Sequence, residues 1–183
     1  MKATPTSIPD VVLLEPTIFG DERGFFLESY SDRAFERLGL PTRFVQDNHS
    51  RSIRNVLRGI HYQLGTPQGK LVRAIHGEIF DIAVDLRKSS PTFGKWVGAI
   101  LDDKQRHMLW IPPGFGHGFL VLSETAEVAY KASEFYAPAN ERSIVWNDPT
   151  IGIEWPLDRL TGDPVLSGKD AAGLLLKDAE VYA

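Results

Sequence analysis

Short runs of valine, isoleucine and aromatic residues recur along the chain, each cut off within a few positions by glycine, proline, asparagine or aspartate. That rhythm belongs to an antiparallel sandwich or barrel rather than to alternating strands and long helices. It predicts strands over Val11–Glu15, Gly24–Tyr30, Arg43–Ile53, Val56–Tyr62, Lys70–His76, Glu78–Leu86, Lys95–Leu101, His107–Ile111, His117–Leu122, Ala126–Phe135 and Ser143–Trp146. Ser31 as N-cap and Gly39 just past the end frame a helix over Asp32–Leu38. Ala171, Ala172 and the leucines at 174 to 176 favour a second over Lys169–Asp178, so that residues 155–183 read as a short helical segment. Turn signals at Thr66-Pro67-Gln68-Gly69, Ser90-Pro91, Ile111-Pro112-Pro113-Gly114 and Asp148-Pro149 punctuate the strands, without repeats, low-complexity stretches or a linker. The expected fold is all-β, a jelly-roll barrel with short peripheral helices, because such barrels hold a small ligand in their mouth and line it with alternate strand residues.

Composition narrows the picture. At 183 residues and 43% hydrophobic, residues 1–183 are expected to form one domain. The net charge of −4 has no block of like charge behind it, so a nucleic-acid or membrane-surface role lacks its electrostatic footprint. An anionic ligand must be held by individual arginines and lysines. With no cysteine, disulfides, thiolate metal sites and a cysteine nucleophile are excluded. The stretch Met1 to Pro9 is polar, and no apolar run approaches a membrane span, so a cytoplasmic location is expected.

The candidate chemistry sits in Arg58-Gly59-Ile60-His61-Tyr62-Gln63, followed by Lys70 and by Val128-Ala129-Tyr130-Lys131. Histidines occur at 49, 61, 76, 107 and 117, and each alone reads as an ordinary surface or core residue. His61 differs because period two puts it on one face with Gln63, and the apolar Ile60 and Tyr62 on the other. Arg58 has the wrong parity for that polar face unless Gly59 marks a bulge that re-aims it. Metal-binding jelly rolls carry a His-x-His pair, a glutamate a few residues on and a later histidine. Here the second imidazole is the amide of Gln63, no glutamate lies between Gln63 and Lys70, and His61 with His117 makes two ligands where catalytic sites use three. No metal and no cofactor are therefore expected.

Without metal, His61 is the natural general base, since an imidazole of ordinary pKa near ~6.5 is mostly neutral in the cell. A carbon acid beside a ketone has a pKa of roughly 19, a gap of about 12 units or about 17 kcal/mol. A cation at the ketone oxygen must stabilise the developing enolate, and Lys70 fits that need. Tyr130 can return a proton from the opposite face, which gives inversion. Taken singly, Lys70 is also a turn lysine and Tyr130 a barrel tyrosine. Asp170 can orient His61 if its segment folds back across the barrel mouth; it also suits a helix N-terminus. Arg23 and Arg58 are the candidates for a diphosphate, which a planar guanidinium fork fits and for which no glycine-rich phosphate loop is present.

Together these motifs resemble the dTDP-4-dehydrorhamnose 3,5-epimerase family of deoxysugar nucleotide biosynthesis. The likeness runs through Gly20-Asp21-Glu22-Arg23-Gly24-Phe25-Phe26, Gln46-Asp47-Asn48-His49-Ser50, Leu57-Arg58-Gly59-Ile60-His61-Tyr62-Gln63, Gln68-Gly69-Lys70-Leu71-Val72-Arg73, Gly77-Glu78-Ile79-Phe80-Asp81, Pro113-Gly114-Phe115-Gly116-His117-Gly118-Phe119, Tyr130-Lys131 and Trp146-Asn147-Asp148-Pro149. The resemblance implies a metal-free, cupin-type homodimer that converts dTDP-4-dehydro-6-deoxy-α-D-glucose to dTDP-4-dehydro-β-L-rhamnose. It makes His61 the proton acceptor, Tyr130 the donor, Asp170 the partner of His61, and Lys70 the lysine near the sugar ketone. It further assigns ligand contacts to Arg23, Glu28, Gln46, Asp47, Asn48, Arg58, His117, Glu141 and Lys169, with Arg23 and Arg58 on the diphosphate. In the family the N-terminal strand crosses to the partner subunit, and Tyr136 after Phe135 falls where an aromatic pair is common. Epimerases that invert one carbon share the same catalytic set; a metal-dependent cupin and a non-catalytic nucleotide-sugar binder are the other readings.

Overall fold

The computed structural model describes residues 1–183. The chain runs through β1 (Lys2–Pro5), β2 (Val12–Glu15), β3 (Ile18–Asp21), β4 (Gly24–Leu27), α1 (Asp32–Arg37), β5 (Gln46–Ile53), β6 (Leu57–Gln63), β7 (Lys70–His76) and β8 (Glu78–Asp85). It continues through β9 (Trp96–Asp102), β10 (Met108–Ile111), β11 (Phe115–Val121), β12 (Thr125–Ala132), β13 (Glu141–Ser143) and α2 (Gly168–Ala171). Six strands form one sheet in the order β1-β2-β10-β7-β12-β5, and five form the other in the order β13-β6-β11-β8-β9. Strands β3 and β4 pair only with each other, as a separate hairpin. The two large sheets face each other as the expected cupin-type jelly roll.

Alternation along the strands decides what lies between them. On β8, Ile79 and Ala83 face the interior with Val72, Ile111, Phe119 and Val128. The intervening Ile82 and Val84 face outward, where Trp155 and Leu176 from the C-terminal region cover them together with Leu57, Ile60 and Tyr62. Both faces of β8 are thus buried, which is why its sequence reads as an almost continuous apolar run. Asp81 interrupts that run on the inward parity, with no solvent exposure.

Several expected boundaries move. Strands β1 and β3 were not anticipated, because each is four residues long and polar or proline-containing at one end. Strand β4 stops at Leu27, β5 begins only at Gln46, and β12 ends at Ala132. Helix α1 begins after Ser31 as expected, and Gly39 takes a left-handed φ of +69° beyond its end. The expected helix over Lys169–Asp178 is instead the four-residue α2 and a separate 3-10 turn at Leu176–Asp178. Docking overrides the Ala and Leu propensity here. Leu174 pairs with Ile144, and a Cβ on Gly173 would fall 2.6 Å from the Val145 nitrogen, so the chain must leave the helix to lie against this strand.

The feature of the fold that shapes the site most is a bulge in β6. His61 lies opposite His117 and Arg58 opposite Phe119, so two residues, Gly59 and Ile60, face Gly118 alone. Arg58, His61 and Gln63 thereby line one cavity, while Leu57, Ile60 and Tyr62 pack beneath the C-terminal region. The parity conflict at Arg58 is resolved by the extra residue. Gly59 has φ +124°, and a Cβ there would lie 2.5 Å from Gly118 Cα and 2.8 Å from the His117 carbonyl. Gly59→Ala is expected to destabilise the protein by about 3 kcal/mol, lowering the thermal midpoint by roughly 6–12 °C. Scanning calorimetry that found the parent midpoint unchanged would mean the strands do not approach this closely.

Candidate active site

The bulged strand and its neighbours enclose a cavity of about 350 Å³ in the barrel mouth. One wall is the five-stranded sheet, carrying Arg58, His61 and Gln63 on β6 and His117 and Phe119 on β11; the other carries Asn48 and Ser50 on β5, Lys70 on β7 and Tyr130 on β12. Register fixes the close neighbours. Asn48 is directly opposite Tyr130, Lys70 is level with Ala132 one inward position further along, and His61 is directly opposite His117. The three groups expected to act together are therefore on one cavity: Lys70 and Tyr130 stand on the adjacent strands β7 and β12 of one sheet, and His61 stands on the facing sheet.

Behind His61 lies Asp170, brought by α2 from 111 residues beyond Gly59. His61 Nε2 is 2.7 Å from Asp170 Oδ1, a close charge contact in which the ring N–H is aimed off the oxygen. The carboxylate is held from several sides. Gly59 N–H donates to Oδ1 at 3.0 Å, Ser167 donates through its hydroxyl to Oδ2, and the Asp170 N–H returns a bond to Ser167 Oγ, which closes a capping box on α2. Burial alone would raise the Asp170 pKa, but His61, the Gly59 amide and Ser167 together hold it well below the usual carboxylate range. Asp170 is thus a fixed anion at Nε2, and it leaves Nδ1 as the His61 nitrogen available to a substrate.

Lys70 is buried, and desolvation lowers its pKa to about 8 although Asp81 and Glu141 oppose the shift. It is still mostly an ammonium at neutral pH, in a setting where a charge acts strongly on its neighbours. Tyr130 is half-buried; burial raises its pKa, Glu141 adds to the rise and Arg58 opposes it. A phenol so placed keeps its proton until a strong base such as an enolate carbon asks for it. His117 Nε2 lies 2.7 Å from Asp81 Oδ1, so His117, like His61, has a carboxylate neighbour. No group of three or more His, Asp or Glu side chains is arranged to hold a metal ion.

The rim is a set of tethered polar groups. Glu141 pairs with Lys169 and accepts a hydrogen bond of 2.8 Å from the Tyr136 hydroxyl. Gln63 ties the adjoining loop down, its Nε2 donating to the Thr66 and Phe135 carbonyls and its Oε1 accepting from Ala137 N–H. Gln46 accepts from Tyr136 N–H and donates to Asn48. Arg58 donates to Ser52 Oγ at 3.0 and 3.2 Å.

Not every expected residue reaches the cavity. Arg23 sits at the tip of the β3–β4 hairpin, paired with Asp21 and with 84% of its side chain exposed. Glu28 is exposed beyond the same hairpin, and Asp47 points to the outer face of β5, where it pairs with Lys131. Asp47 lines a neighbouring hollow of about 270 Å³ with Ser29, Tyr30 and Arg73, which shares Asn48, His49 and Tyr130 with the main cavity but none of His61, Lys70 or His117. Two residues close to the chemistry were passed over by sequence reasoning. Asp81 had a signal, a lone carboxylate at inward parity in an apolar strand; Ser167 had one only as an N-cap.

A family model described as dTDP-4-dehydrorhamnose 3,5-epimerase matches residues 5–178. Among curated proteins, the dTDP-4-dehydrorhamnose 3,5-epimerase of Pseudomonas aeruginosa is 59% identical, covering 100% of this chain and 99% of the relative. That of Salmonella typhimurium is 60% identical over 95% of this chain and 94% of its own length. Among solved structures, a dTDP-6-deoxy-D-glucose-3,5-epimerase from Legionella pneumophila in complex with dTDP-4-keto-L-rhamnose superposes with a TM-score of 0.94 at 50% identity, covering 98% of this chain and 94% of that one.

Proposed function

The chain belongs to the dTDP-4-dehydrorhamnose 3,5-epimerase family, and from that premise we propose that its cavity removes and returns protons at C3 and C5 of dTDP-4-dehydro-6-deoxy-α-D-glucose, giving dTDP-4-dehydro-β-L-rhamnose. What carries the proposal is the convergence of His61, Lys70 and Tyr130 on one cavity, with Asp170 fixed behind the imidazole. Both carbons flank the C4 ketone, so one carbonyl acidifies both and one base can serve twice. His61 Nδ1 takes the proton, and the imidazolium formed is stabilised by the Asp170 carboxylate. Lys70 meets the charge that develops on the ketone oxygen; a fixed donor of this kind contributes on the order of 3–4 kcal/mol to such a step. Tyr130, on the opposite wall, delivers a proton to the other face and inverts the centre.

The nucleotide part is held by Arg58 with Asn48 and Gln46 at the rim, while Glu141, Lys169 and His117 border the sugar. Arg23 and Glu28 are too far out to serve their own cavity, and for them we propose the partner's. The β3–β4 hairpin pairs with no other strand, and Phe19, Phe25 and Phe26 are 63%, 55% and 69% exposed, an aromatic surface that a second copy of the chain would cover. In this reading a single domain of residues 1–183 forms a homodimer in which each hairpin, rather than the paired β1 and β2, completes the neighbouring site. Its substrate is a nucleotide-linked metabolite, and a cytoplasmic location fits that supply; no helix is long and apolar enough to cross a membrane.

Incubation of the dTDP-4-ketosugar with the protein in heavy water tests the activity. NMR is expected to find deuterium at both C3 and C5. Label at one carbon alone would make the chain a single-site epimerase, and label at neither would leave a binding protein.

A further inference from the structure

Asp81 is a carboxylate with no solvent exposure, buried behind the cavity-lining His117, and nothing in the epimerase mechanism above uses it. Its strand position explains its reach. Asp81 is opposite Phe119 and Ala83 is opposite His117 in the β8–β11 ladder, so Asp81 and His117 are diagonal neighbours on the inward face. Oδ1 meets His117 Nε2 at 2.7 Å, while Oδ2 is buried without any hydrogen-bond partner. An isolated buried carboxylate costs several kcal/mol, and nothing in the core packing asks for one. We propose that Asp81 is a positioning residue: it clamps the His117 ring through Nε2 and holds a buried negative charge on the inward face of the barrel, the face to which Lys70 also turns.

The surroundings of Lys70 support this division of labour. On the rim, Glu141 of β13 is already engaged by Lys169 of α2 and by Tyr136. Lys70 shares the cavity with Arg58 and His61 of β6, the latter committed to Asp170, with His117 of β11 and with Tyr130 of β12. Asp81 on β8 is the fully buried anion of the set. Burial pushes the Asp81 carboxyl up, while His117 and Lys70 draw it back down, and Asp81 in turn opposes the desolvation of Lys70. With the Asp81 charge removed, the buried amine loses its proton at a lower pH and the ketone oxygen loses its cation.

The inference rests on Lys70 acting on the enolate, so the experiment separates the two. Lys70→Met is expected to abolish exchange; if it does not, the reading of Lys70 fails, and with it this one. With Lys70→Met inactive, Asp81→Asn tests Asp81 itself. We expect a fall in kcat of about a hundredfold with KM nearly unchanged, because the charge lost supports the cation that meets the developing enolate rather than ground-state binding. The alkaline limb of kcat/KM should move to lower pH by about one unit. An unmoved limb accompanied only by a lower thermal midpoint would make Asp81 a structural residue and overturn the proposal. Should Asp81→Asn fail to fold, the unaltered enzyme still decides: ring nitrogen shifts are expected to find His117 protonated at Nε2 throughout the active pH range. A bare Nε2 would overturn the clamp.

Discussion

His61→Asn is expected to abolish solvent exchange at C3 and at C5 together, with kcat/KM falling by roughly four decades, the upper end for a positioned base. Four decades correspond to about 5.5 kcal/mol of transition-state stabilisation. The side chain of His61 is 28% exposed and its strand is packed through Ile60 and Tyr62. The fold should therefore survive the change, and the thermal midpoint serves as the control. The joint loss is the informative part. A single imidazole, backed by a single carboxylate, is the one base in reach of both carbons in this reading. Exchange surviving at either carbon in the His61→Asn enzyme would require a second base and would break the scheme.

Tyr130→Phe should divide what His61→Asn removes as a whole. Deprotonation needs the imidazole and the ammonium, neither of which is altered. Wash-in of deuterium by return to the original face should thus stay within about tenfold of the parent, while net inversion falls by roughly a hundredfold to a thousandfold, the usual weight of one general acid. Following label and product in one NMR time course separates the two rates. Normal turnover by the Tyr130→Phe enzyme would leave the phenol without a part in the reaction.

The jelly roll and the candidates His61, Lys70 and Tyr130, which the structure brings to one cavity, were legible because they depend on local patterns: period-two strands, turn residues, and a short motif whose polar and apolar positions alternate. What was illegible depended on contacts distant in sequence. Asp170 was a candidate without a proven path to His61, since nothing between residues 59 and 170 spells out that α2 returns to Gly59. The overlong C-terminal helix failed for the same reason, its propensity giving way to the docking of Gly173 and Leu174 on Ile144. Arg23 was read as a diphosphate ligand, and its motif alone does not say that it lies on a hairpin paired with no other strand, whose Phe19, Phe25 and Phe26 stay more than half exposed. Asp81 was passed over although it breaks the apolar run of β8, and its contact with His117 emerges only from the ladder that sets the two diagonally.

The two-against-one step at Gly59 governs how such a pocket can be recognised or moved. In an unbroken strand, groups that reach the same side are separated by even steps, the spacing that a search for metal-binding barrels relies on. Here a guanidinium and an imidazole stand three positions apart and belong together because a glycine absorbs the odd residue against a second glycine on the next strand. A scan for paired ligands passes over this arrangement, whereas Arg-Gly-x-His facing a glycine detects it. Transplanting the pocket onto another barrel would accordingly mean carrying Gly59 and Gly118 along with the polar side chains.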